Sequence, residues 1–185
     1  MGFLLRLASV IDRGNQWLGK KISWLVLAMV LLGAFNSIAR FLGPYLGRNL
    51  SSNAFIEAQW YMFSLLFLLG AGYVLQRDTH VRVDVLYANL SRRGKAWVDL
   101  LGGVFLLIPF CLFGLWSSWP SVANSFAVRE VSPDPGGLPR YPIKAMILVC
   151  FALLFLQGIS QVIQQVSSLR ESGSTAGDHS GETLS

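Results

Sequence analysis

Four long stretches with almost no charge run through the 185-residue chain, and they decide what it can fold into. The hydrocarbon core of a bilayer is about 30 Å thick, so a helix rising about 1.5 Å per residue crosses it with about 20 apolar residues. Residues 22–41, 55–75, 99–119 and 143–166 each reach that length. The first is uncharged until Arg40, and the second carries Glu57 at its start. The third is expected to end at Trp119 and Pro120, because proline breaks or kinks a helix, and the fourth to begin near Pro142. Composition agrees: 14% of the residues are charged and 53% hydrophobic, where an ordinary soluble domain carries about 25% charge. The expected fold class is an all-α integral membrane protein with four transmembrane helices, residues 22–168 forming one membrane domain.

Lysine and arginine set the expected orientation. Arg6, Arg13, Lys20, Lys21, Arg77, Arg82, Arg92, Arg93, Lys95 and Arg170 fall on one side of the four crossings, and Arg40, Arg48, Arg129, Arg140 and Lys144 on the other. That is ten against five of the 15 basic residues, which by the positive-inside rule puts both termini in the cytoplasm.

Residues 1–21 place Phe3, Leu7, Val10 and Ile11 near one helical face, interrupted by Arg6, Asp12 and Arg13, as an interfacial amphipathic helix would. No small-x-small cleavage site closely follows the first apolar block, so it reads as a retained anchor and not a signal peptide. The segment VRVDVLYANLSRRGKAW is read as a second lateral helix, with a short strand over its alternating VRVDV as the alternative, and the Ser- and Gly-rich residues 169–185 as a disordered tail.

Ionisable groups at membrane depth are costly and call for a partner. Arg40 and Glu57 approach the same outer boundary from consecutive spans, so an ion pair clamping the first two helices is expected, with contact to a partner subunit and then substrate or ion binding as the alternatives. Ser51, Ser52 and Asn53 supply candidate caps for the second helix. Asn36 and Ser37 lie about one turn from Arg40, and Gln157, Ser160, Gln161 and Gln164 read either as one polar seam near the end of the last span or as ordinary end-of-helix polarity. Arg77, Asp78, His80, Arg82 and Asp84 alternate in sign just inside the second helix, suiting a solvated orientation loop or an interface with a partner or lipid phosphates. The loop VREVSPDPGGLPRYPIK reads as a spacer or as a shaped docking surface.

Catalytic signatures are missing from this pattern: there is no phosphate-cradling loop, no H-E-x-x-H and no G-x-S-x-G. Cys111 and Cys150 lie apart inside apolar blocks, and His80 and His179 lie outside the spans, so neither a metal centre nor a haem is expected and the cofactor assignment is none. The basic residues flank apolar blocks instead of forming a patch, which argues against nucleic acid as a partner. From the residues alone, a stand-alone small transporter or channel, and a membrane-anchoring subunit of some other complex, both remain open.

Taken in order, Glu57 before QWYMFSLLFLLGAGYVLQ, the segment RDTHVRVDVL, and SPDPGGLPRYPIK before the fourth span resemble the small membrane subunit, a DctQ-like small permease, of tripartite ATP-independent periplasmic (TRAP) transporters. The resemblance covers about residues 15–168. It implies a scaffold subunit in the bacterial inner membrane that joins a large elevator-type permease subunit, while a periplasmic solute-binding protein delivers an organic acid. Sodium coupling would then reside in the large subunit, and phospholipids would be further partners. In that reading Arg40, Glu57, Trp60, Phe63, Phe67, Gly70 and Gly72 serve scaffold packing or an interface. Arg77, Asp78, His80, Arg82 and Asp84 brace the inner surface, and Arg129, Glu130, Asp134 and Arg140 lie near a dock for the binding protein. None of them is expected to be catalytic or to touch substrate.

Overall fold

The structure, a computed structural model, describes residues 2–47, 50–77 and 90–178, with only the backbone described at 92–93 and 170–178. Six α-helices make up the described chain: α1 Gly2–Ile22, α2 Trp24–Leu42, α3 Asn53–Gln76, α4 Arg92–Gly102, α5 Ile108–Ala127 and α6 Tyr141–Asp178. A π-helical turn, Gly103–Leu107, joins α4 to α5. Four helical stretches are long and apolar enough to cross a membrane: Gly2–Leu42, Asn53–Gln76, Gly94–Ala127 and Tyr141–Leu169. The four expected crossings are therefore present.

Local chemistry explains where the helices start and bend. Ser52 caps α3, its side chain accepting from the Ala54 N–H at 3.2 Å, and Ser91 caps α4 by accepting from the Gly94 N–H at 3.2 Å. Pro142 sits in the first turn of α6, where a missing N–H costs no helical bond. The third span corrects an expectation: Pro120 does not end it, and α5 runs on to Ala127. In a membrane helix the freed carbonyl one turn earlier can be satisfied by local adjustment, so proline there is tolerated inside the helix instead of stopping it. Pro109 comes just after the π turn, in which the Ile108 N–H bonds the Gly103 carbonyl. Backbone helix also continues to Asp178, past the boundary expected at 168; no proline interrupts it, and propagation adds a hydrogen bond for each residue fixed.

The helices form an open layer, not a closed bundle. In order across the layer stand α2, α3, α6 and α5, with α2 packed on α3, α3 on α6, and α6 on α5. α1 lies along both α3 and α6. Chain direction follows from the contacts: Asn15 meets Gly72 while Ile22 meets Gly70, and Gly33 meets Gln59 while Phe35 meets Phe55, so α1 and α2 run antiparallel to α3. Along α5 and α6, Gly114 faces Phe151 and Gly158 faces Leu107, again antiparallel. These glycines let neighbours approach closely; a Cβ on Gly114 would stand 2.4 Å from the Phe151 ring. The layer leaves wide apolar surfaces uncovered, among them Phe63 and Phe67 on α3 and Phe105, Phe113 and Trp116 on α5 and the π turn before it.

The helices also differ in reach. α3, with 24 residues, is about 36 Å long, close to a bilayer's thickness, whereas the 38 residues of α6 extend about 57 Å. Past the end of α3 at Gln76, α1 and α6 continue side by side, with Leu4 and Leu5 beside Val162, Ile163 and Val166.

Candidate functional site

Polar side chains concentrate at the two ends of this layer. At the end where α3 begins, the chain between α5 and α6 folds back on α3 as a short irregular hairpin. Val131 and Pro139 pair as an isolated antiparallel bridge, the Ser132 N–H donates to the Leu138 carbonyl at 3.1 Å, and the Arg140 N–H donates to the Glu130 carbonyl at 2.8 Å. Gly136, at φ 73°, makes the tip.

Its entry is a helix C-terminus closed by a Schellman motif. The Glu130 N–H returns to the Ser125 carbonyl at 3.0 Å and the Arg129 N–H to the Phe126 carbonyl at 3.2 Å. Arg129 therefore occupies the left-handed position, at φ 47°, where glycine is the usual residue.

Glu57 holds this hairpin. Only 3% exposed, it accepts from the Ser132 hydroxyl and the Leu138 backbone N–H, so a buried carboxylate on α3 fastens two points of the loop. The Tyr61 hydroxyl, one turn on, donates to the Pro139 carbonyl at 2.9 Å, and the Asn53 amide donates to the Pro135 carbonyl at 3.1 Å. A Cβ on Gly137 would stand 2.8 Å from the Glu57 carboxylate, so glycine is needed for this approach. The expected Arg40–Glu57 pair is not formed. Arg40 is exposed at the end of α2, and Glu57 spends its acceptors on the loop; two donors already fixed in a hairpin cost less ordering than a long mobile arginine.

The rest of the hairpin is pinned to α6 and α5. Lys144 of α6 pairs with Glu130 at 2.5 Å, and the buried Ser125 hydroxyl donates to the same carboxylate at 2.7 Å. These two hydrogen bonds, Lys144 first, hold the Glu130 carboxyl below its usual range. The Arg140 guanidinium lies 6.0 Å from the centre of the Trp60 ring. Asp134 enters through its backbone, its carbonyl accepting from the Gly137 N–H at 3.0 Å. Of the four residues assigned to a dock, Glu130 and Arg140 are thus structural members of the hairpin, and Arg129 is its entry turn.

At the opposite end, Asp12 gathers the seam residues of α6. Its carboxylate accepts from the Gln157 amide at 2.9 Å, the Ser160 hydroxyl at 2.8 Å and the Gln164 amide at 2.8 Å. Asn15 donates to the Gln157 carbonyl oxygen at 2.6 Å. Gln157 is 1% exposed, and Ser160 is fully buried. Gln161 turns to α3 and donates to the Leu75 carbonyl at 2.9 Å, satisfying one of that helix's last acceptors.

Asp12 and Asn15 are the members that sequence reasoning missed. The signal was present: Ala8, Asp12, Asn15, Gly19 and Ile22 recur at alternating spacings of four and three, all but Ile22 small or polar, and this is the stripe α1 turns to its neighbours. The large apolar residues Phe3, Leu7 and Val10 face outward.

Of the remaining expected residues, Gly70 and Gly72 are buried inside the chain, against Ile22 and Asn15, and so serve its own packing. Trp60, Phe63 and Phe67 are exposed along one side of α3, Phe67 at 70%. Arg77 ends α3 with its guanidinium 5.3 Å from the centre of the Tyr73 ring. Asp78, His80, Arg82 and Asp84 lie outside the described residues. Among the described residues, no three His, Cys, Asp or Glu gather in a way that could hold a metal ion.

An open layer of four membrane-crossing stretches, with its polar groups spent on internal ties at both ends, defines a multi-pass membrane component. Residues 29–168 match the family described as DctQ: Tripartite ATP-independent periplasmic transporters, DctQ component, and the chain belongs to that family. It is therefore a small permease subunit of a TRAP transporter, a component of the inner membrane, in a family of transporter components and not of enzymes. The family implies a tripartite assembly with a large membrane subunit and a binding protein. No curated protein and no solved structure matches the chain.

Proposed function

We propose that the chain is a static scaffold of a sodium-coupled organic-acid importer, joined side-on to the large elevator-type subunit and supplying no translocation pathway of its own. The observation that carries this reading is the open layer. α2 and α5 stand at its two edges with α3 and α6 between them, so among the described residues no ring of helices encloses a channel. Coupled transport needs an ion site, a substrate site and alternating exposure, usually around discontinuous helices. Here the carboxylate inside the second span, Glu57, is consumed by its own loop. The broad apolar side carrying Phe63 and Phe67 suits packing against a larger membrane protein, where van der Waals contact supplies the association.

The basic-residue count supports an orientation with both termini cytoplasmic and the hairpin in the periplasm. There the Glu57-held hairpin offers a preformed surface to the binding protein, with Arg129 and Asp134 at its rim. Preformed surfaces bind with less ordering cost, which explains why the loop is fastened at several points. Arg40, exposed at the same end, is a further contact for a partner.

The test is assembly. Co-expressed with its tagged large subunit and extracted in mild detergent, the chain is expected to purify with it in fixed ratio, and Phe63→Ser with Phe67→Ser to reduce recovery at least about tenfold. Recovery of the chain as a free monomer beside an intact large subunit overturns the reading.

A further inference from the structure

We infer that the outward side of α1 is a binding surface for anionic phospholipid, in the leaflet at the end of the layer where α3 stops. This goes beyond the scaffold role and does not depend on it. α1 divides into three lengthwise stripes. Ala8, Asp12, Asn15, Gly19 and Ile22 face α3 and α6. On the opposite side Phe3, Leu7, Val10 and Trp17 follow the same helical spacing, with Phe3 77% and Trp17 64% exposed. Arg6, Arg13 and Lys20, seven residues apart, form a row alongside the apolar stripe.

The chemistry of the two outward stripes selects the occupant. The apolar stripe continues through Trp24, 70% exposed, onto the uncovered side of α2, which lies within a membrane-crossing stretch, so it joins a lipid-facing surface without a break. The basic row makes no ion pair with a described residue, and the one acidic residue of α1, Asp12, is turned away to Gln157, Ser160 and Gln164. An apolar strip bordered by cations that no described residue pairs matches the boundary between acyl chains and phosphates. The 41 residues from Gly2 to Leu42 also exceed the about 20 that a crossing requires, which leaves α1 length enough to reach that boundary.

The test places an environment-sensitive dye at Val10→Cys, since Cys111 and Cys150 are buried, and reconstitutes the full chain in nanodiscs of equal phosphatidylglycerol and phosphatidylcholine. Bromine is carried by one lipid or the other, and dye quenching is compared. Brominated phosphatidylglycerol is expected to quench about twofold more than brominated phosphatidylcholine. In the variant Arg6→Gln with Arg13→Gln and Lys20→Gln, that ratio is expected to fall to one while both lipids still quench. A ratio of one in the unsubstituted basic row overturns the inference, as does an absence of quenching by either lipid. Loss of quenching when the large subunit binds also overturns it, because protein would then cover the face.

Discussion

Where α3 begins, one carboxylate reaches sideways to a loop; where α3 stops, another collects amides and a hydroxyl from a neighbouring helix. Glu57 sets the shape of a surface, since its partners Ser132 and Leu138 stand on the two arms of a hairpin that it ties to α3. Asp12 sets a helix position, since Gln157, Ser160 and Gln164 already lie on the rigid face of α6 and need only a common acceptor. The same group does two jobs because its donors sit on different kinds of backbone. Losing the first tie should free a loop, whereas losing the second should loosen a helix.

The largest effect is expected from Glu57→Ala. It leaves a half-buried backbone N–H at Leu138 and the Ser132 hydroxyl without their acceptor, and the hairpin should open. Trypsin should then cut after Arg129 or Arg140 at least about tenfold faster, because cleavage tracks the population of the open form. Unchanged cleavage would erase the contrast, showing the hairpin to be held by its own bridge.

Gln157→Leu acts at the other end. It removes one donor from Asp12 and the acceptor of Asn15, at a cost of about 1–3 kcal/mol. Thermal unfolding in detergent should move down while trypsin cleavage of the hairpin stays as in the parent. Arg129→Gly has the opposite sign: relieving a left-handed non-glycine residue should stabilise the Schellman turn by about 1 kcal/mol, read as a raised midpoint. A lowered midpoint would mean that the arginine side chain is worth more to the fold than its backbone costs.

The smallest effect concerns pH. Lys144 and Ser125 lower the folded pKa of Glu130 beneath its unfolded value, about 4.3 for a free glutamate. Its contribution is therefore complete above that unfolded value and is lost as pH falls through the lower, folded one. The midpoint difference between the parent and Glu130→Gln should stay constant from pH 7 to about 5 and shrink only in the acid range below the unfolded value. A difference that shrinks near neutrality would contradict the hydrogen-bonded carboxylate.

How much of this the sequence carried depends on whether a feature is local. The crossings were legible because an uncharged run of about 20 residues has few other uses. The Ser52 cap and the polar seam on α6 were legible for the same reason, each being complete within one helix. Partners across the layer were not. Glu57 was visible as a costly buried charge, but Arg40 and the Ser132–Leu138 hairpin were both within its apparent reach, and nothing local separated them. α1 was read from its large apolar residues, while its packing side is the small and polar one; in a membrane, bulk marks the lipid-facing stripe as often as the packed one. Pro120 misled for a related reason, since a rule for helices in water was carried into a helix without water competing for its backbone.

The central claim is that this chain shapes a transporter without conducting anything itself, and reconstitution tests it most directly. Vesicles would hold the chain alone, the large subunit alone, or both, each with the binding protein outside, and uptake of candidate organic acids would be followed under an imposed sodium gradient. The account predicts sodium-dependent uptake with both subunits together, and none with the chain alone or with the large subunit alone. Sodium-driven uptake by this chain alone would contradict it, because a pathway would then exist that the open helical layer does not contain.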